Sequence, residues 1–154
     1  MHKFPYTRVR LDPTVDPSRP IVKGENTLWE PLLRVRLGIL KGKRSPRFPA
    51  YVDSGSPWCL FKAEIGDYLG LDVESGDKDE IGGIIAGTPE PVYFHKVTLF
   101  VEDLGTIPIR AGFVRKLSTH GILGRDGFFD WYRIGFDQSE KPPLVLVDRI
   151  EKPS

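Results

Sequence analysis

The sequence predicts a mainly β fold, and three observations carry that expectation. Its 16 glycines and 14 prolines are scattered as punctuation through 154 residues, which favours many short strands over long helices. Residues 33–39, Leu-Arg-Val-Arg-Leu-Gly-Ile, alternate in the period of a half-buried strand. Further apolar runs recur at 48–53, 92–102, 106–114, 132–137 and 144–147.

Taken in order, residues 1–27 hold Pro5, Pro13, Pro17 and Pro20; 4–11 reads as a strand and 12–26 as an extended connector. A strand over 32–40 runs into a basic turn at 41–45, read as a solvated hairpin tip, and 48–53 is the next strand. The spacing predicts a helix over 60–69: Leu60, Ala63, Ile65, Tyr68 and Leu69 share a face, and Gly70 stands where a C-terminal cap belongs. Residues 73–80 are acidic and read as surface. The run 81–87 is rich in glycine but apolar, and no Lys-Ser/Thr pair or helix start follows it, so it does not read as a phosphate loop. Strands over 92–102 and 106–114 are joined by Asp103-Leu104-Gly105. Ile122-Leu123 reads as a short buried strand, and 126–132 as a short helix packed through Phe128, Phe129 and Trp131. Two strands, 132–137 and 144–147, close the chain.

Composition bounds the function. A chain of 154 residues is expected to form a single domain, 1–154, with a sizeable core. With 22 basic against 21 acidic side chains, nothing points to electrostatic capture of nucleic acid or of an anionic membrane. The one cysteine, Cys59, excludes an intrachain disulfide, fits a reducing compartment, and reads as a buried structural thiol within an apolar run. The start Met1-His2-Lys3-Phe4-Pro5-Tyr6 lacks the apolar stretch of a signal peptide, and no segment reaches membrane-spanning length, so a cytoplasmic location is expected. His2, His95 and His120 show no ligand spacing, and neither a metal nor another cofactor is expected. Gly55-Ser56-Pro57 lacks the nucleophile-elbow pattern.

Two motifs stand out. Ala50-Tyr51-Val52-Asp53-Ser54-Gly55-Ser56 reads as an apolar strand running into an acid held in a turn of small residues. Alone, Asp-Ser-Gly is ordinary turn chemistry. The second motif, Gly121-Ile122-Leu123-Gly124-Arg125-Asp126, is an apolar pair followed by a glycine that can lie close against another backbone. Together they resemble the retropepsin family of aspartic proteases, whose pattern is apolar-apolar-Asp-Thr/Ser-Gly and, later, apolar-apolar-Gly. The resemblance covers about 28–138, leaving 1–27 as N-terminal strand and connector and 139–154 as a C-terminal strand.

That resemblance implies a closed retropepsin-like β-barrel with one or two short helices and an active site on the two-fold axis of a homodimer. Peptide hydrolysis without a metal needs a general base to activate water and a general acid for the leaving amine. Two carboxyl groups sharing one proton serve as both, because like charges in contact cannot both ionise. With a single Asp-Ser-Gly, the chain must supply one Asp53 from each of two copies. The resemblance further implies that Ser54 hydrogen-bonds across the dyad and that Gly55 lets the turns approach. For Ser56 two roles stay open: donating to the catalytic carboxylate, or satisfying a turn backbone group.

The resemblance implies a flap over 81–91, with Gly82 and Gly83 as its mobile tip, apolar residues such as Ile81 and Ile84 contacting substrate, and Gly87 as the alternative tip. The other reading of this run is a hydrophobic core turn. In the second motif of Ile122, Leu123, Gly124 and Arg125, the arginine departs from the viral pattern, because Pro57 stands where an acid would pair with it. Arg125 is left with another anion, a backbone carbonyl or the Trp58 ring. The substrate would be an extended peptide bound by strand addition. The strand after Pro142-Pro143 either joins the dimer interface or pairs within its own subunit. The rival reading is a non-catalytic dimer of the same fold, acting as a peptide-binding or scaffold module.

Overall fold

The computed structural model describes residues 1–10, 27–81 and 89–151. Its strands are β1 (His2–Pro5), β2 (Thr7–Arg10), β3 (Thr27–Glu30), β4 (Leu32–Gly38), β5 (Phe48–Val52), β6 (Cys59–Lys62), β7 (Asp77–Ile81), β8 (Glu90–Val101), β9 (Gly105–Val114), β10 (Gly121–Leu123), β11 (Tyr132–Asp137) and β12 (Leu144–Arg149). Two short helices, α1 (Ala63–Tyr68) and α2 (Phe128–Trp131), and a 3-10 turn at Val73–Ser75 complete the described elements. The fold is mainly β, as its glycine and proline punctuation predicts.

Six strands close into a barrel in the order β4-β5-β10-β6-β9-β8, with β8 pairing back onto β4 and β7 appended to β8. Closure leaves no open edge among these six. Alternation sets the inward face. Leu33, Val35 and Leu37 of β4 are buried, as are Phe48, Ala50 and Val52 of β5, while Arg34 lies outside. A three-stranded sheet, β1-β12-β11, contributes Val145 and Val147 to the same core.

Several boundaries depart from expectation, each for a tertiary reason. The expected strand over 4–11 divides at Tyr6. Phe4 pairs with Val145 in one sheet and Arg8 with Trp29 in another, and the buried Tyr6 between them donates its amide to the Pro143 carbonyl at 2.8 Å. The connector over 12–26 lies outside the described residues. The expected helix over 60–69 is a strand in its first part. Cys59, Leu60 and Phe61 are all buried because β6 runs between β10 and β9, and a short apolar run of this kind suits either structure.

Only 63–68 is helical, Tyr68 is exposed rather than core-facing, and Gly70 ends the turn at φ +84° as expected of a cap. The acidic stretch 73–80 is not all surface. Val73 is buried, and β7 pairs with β8 from Asp77 opposite Phe94 to Ile81 opposite Glu90. Near the end of the chain, β12 is the central strand of its sheet, with β1 and β11 of the same chain on either side. Of the two readings of the strand after Pro142-Pro143, the structure shows the pairing within its own chain. Its buried Val145 and Val147 make it part of the core.

Candidate functional site

Both motifs end strands that lie side by side. β10 runs parallel to β5, with Ile122 opposite Tyr51 and Leu123 opposite Val52. The Asp53 amide then donates to the Leu123 carbonyl at 3.0 Å, so the first residue beyond β5 is still tied to the second motif. From there the chain turns. Ser56 N–H donates to the Asp53 carbonyl at 3.3 Å, and Gly55 N–H to Asp53 Oδ1 at 2.9 Å. Asp53 is half-buried, while Ser54 and Gly55 are exposed at the tip. A Cβ on Gly55 would lie 3.1 Å from Asp53 Oδ1, so glycine here keeps the amide close to the carboxylate without crowding it.

The second motif locks onto the residues after this turn. Arg125 N–H donates to the Ser56 carbonyl and Asp126 N–H to the Pro57 carbonyl, both at 2.9 Å, and Trp58 forms a parallel bridge with Asp126. Gly124 crosses directly over this segment. An added Cβ there would fall 2.1 Å from the Trp58 carbonyl oxygen and 2.7 Å from that of Ser56. Close backbone approach is why this position is glycine.

The Ser56 hydroxyl donates to the Trp58 carbonyl at 2.7 Å. A hydroxyl has one proton to give, so of its two expected roles the structure shows the backbone one. Arg125 finds a backbone carbonyl: its Nη1 donates to Ser54 at 3.4 Å. Cys59 is fully buried beside the site, its thiol directed at the Gly124 carbonyl at 3.8 Å. Burial pushes that thiol up to about 11, as a structural cysteine requires.

Around the turn sits an apolar cluster that the sequence did not single out. Leu60, Val92, Phe94 and Val114 are buried, and half-buried Trp58, Ile81 and Ile122 pack against them. Trp58 meets the edge of Phe94 at 5.3 Å, and the Arg110 guanidinium covers that ring at 3.8 Å. The cluster joins Ile122 of the second motif, and Trp58 two residues past the first, to β7 and β8. Of the expected flap residues, Ile81 ends β7, while Gly82, Gly83, Ile84 and Gly87 lie outside the described residues. Alternation in β6 was the available signal: Leu60 must face away from Phe61.

Among the described residues no three His, Cys, Asp or Glu side chains gather as metal ligands, and no helix is long and apolar enough to cross a membrane. No protein-family model matches the sequence, and no curated protein does.

Proposed function

We propose that the chain is one half of a homodimeric aspartic endopeptidase of the retropepsin type, with Asp53 from each copy forming the catalytic dyad. The observation that carries this reading is the apposition of the two motifs. Asp53 leaves β5 hydrogen-bonded to Leu123, and Gly124 lies flat on the chain that follows the Asp53 turn. The exposed tip at Ser54 and Gly55 is the surface on which a second copy would meet the first.

In that dimer one carboxylate takes a proton from water as the water oxygen attacks the peptide carbonyl carbon. The other, protonated, gives its proton to the carbonyl oxygen. Collapse of the resulting gem-diol breaks the C–N bond as the nitrogen takes the proton from the first carboxyl. A gem-diol hydroxyl gives its proton to the other carboxylate, so the dyad again holds its single shared proton. Substrates are extended peptides lying between the β7–β8 hairpin and the turn. The cluster of Trp58, Ile81 and Ile122 offers an apolar wall for one substrate side chain. A single buried thiol suits a reducing compartment, here the cytoplasm.

The test joins sedimentation with cleavage of a diverse peptide library. A dimer that cleaves supports the reading. A dimer that binds peptides without cleaving them returns the rival, a scaffold module of the same fold, and a strict monomer at assay concentration overturns both.

A further inference from the structure

At the far end of the barrel from Asp53 lies a cavity of about 490 Å³. Strand directions place it there. β5 leaves the cavity at Phe48 and reaches Asp53 five residues later, roughly 16 Å at the rise of a strand. β10 runs parallel to β5 and β6 antiparallel to β10, so His120 and Lys62 share the Phe48 end, where the Lys62 amide donates to the His120 carbonyl at 3.1 Å.

Phe48, Ile65 and Leu117 give this cavity apolar walls. Its rim carries Arg47, Lys62, Arg115 and Glu64. Arg115 is already neutralised by Asp67 and Glu74, and Arg47 leans towards Glu102 at 3.8 Å. Lys62 has no carboxylate within ion-pair distance among the described residues, and the rim's one carboxylate, Glu64, is exposed. Burial and then the Lys62 charge hold the His120 imidazole below its ordinary range, which agrees with their closeness. A concave site with apolar walls concentrates the field of such a cation.

We propose that this cavity binds a small amphipathic anion, an aromatic or branched apolar group bearing a carboxylate or phosphate. Lys62 holds the headgroup, and the apolar body lies against Phe48, Ile65 and Leu117. The volume falls in the range of small-molecule pockets, about 300–1,000 Å³. The site does not depend on Asp53 or on a second copy.

Titration of the full chain with phenylacetate, phenyl phosphate, benzyl alcohol and inorganic phosphate, followed by amide NMR, tests it. At least one aromatic anion should bind saturably, tenfold or more tighter than benzyl alcohol and than inorganic phosphate. Its shifts should centre on 45–48, 62–65 and 117–120, and preference between the two anions identifies the headgroup. Lys62→Gln should weaken that binding about tenfold and Lys62→Arg should restore it. Equal binding of benzyl alcohol, shifts centred on 53–58, or full affinity in a folded Lys62→Gln would overturn the proposal. Should Lys62→Gln not fold, the wild-type shift map and the comparison with benzyl alcohol decide it.

Discussion

Gly124 lies so close to the Trp58 carbonyl that a single added carbon would stand 2.1 Å from its oxygen. The obstacle is backbone, which cannot swing aside as a flexible side chain can. Gly124→Ala should therefore cost about 1–3 kcal/mol or more of stability. It should also shift Asp53, whose amide is held by the neighbouring Leu123 carbonyl. Chemical denaturation and amide shifts at 53–58 measure both effects. A variant of wild-type stability would mean that the two motifs are not in this contact.

On the proposed dyad, Asp53→Asn should retain fold and dimer but lose peptide cleavage by about 10²–10⁴-fold or more, since the amide is nearly isosteric but cannot act as a base. Wild-type activity should follow a bell in pH, because two adjoining carboxyls hold one proton only over a bounded range. A hydroxyl-bearing transition-state mimic should bind once per dimer. One per monomer would contradict a shared site.

Ser56→Ala removes a bond to a neutral carbonyl, not to the carboxylate. Stability should fall by about 1 kcal/mol, and the acid limb of the pH–rate profile should stay in place. A shift of that limb to higher pH would return Ser56 to the role of donor to Asp53.

Arg115 donates from Nε to Glu74 Oε1 at 2.7 Å and from Nη2 to Asp67 Oδ1 at 3.0 Å, joining the loop after β9 to α1 and the 3-10 turn. Its hydrogen bonds hold both carboxyls below their usual range. A carboxylate held low by the fold contributes stability above its unfolded value, about 3.9 for Asp, and loses it as pH falls through its folded value. Arg115→Gln should thus lower the thermal midpoint at neutral pH, modestly because the groups are exposed. The gap should close in strong acid. A gap that persists at the lowest pH would assign the loss to packing instead.

The Cys59 thiol should resist alkylation by iodoacetamide at pH 8 in the native protein and react fully once unfolded, being both buried and pushed up to about 11. Rapid native labelling, read by mass spectrometry, would show that this strand opens.

Much of the fold was legible because alternation reports which face a strand buries. The pattern of β4, the β8–β9 hairpin and its turn at Asp103 and Gly105 all stand where the side-chain period and the turn residues put them. The β6 strand was not legible: Cys59, Leu60 and Phe61 are apolar on both faces, and only the strands beside them decide between helix and sheet. Acidic β7 likewise owes its strand to pairing with β8, not to its own composition.

By itself the sequence determined that an acid ends an apolar strand at Asp53 and that a glycine follows an apolar pair at Gly124, because strand period and glycine's missing Cβ are local properties. What only the tertiary structure decided is where each partner stands. The Ser56 hydroxyl turns to Trp58, Arg125 to the Ser54 carbonyl, and β12 to the middle of its own sheet. Lys62 and His120, 58 residues apart, meet at one cavity. Hydrogen bonds and burial depend on distance in space, and the path of the chain through the barrel sets that distance.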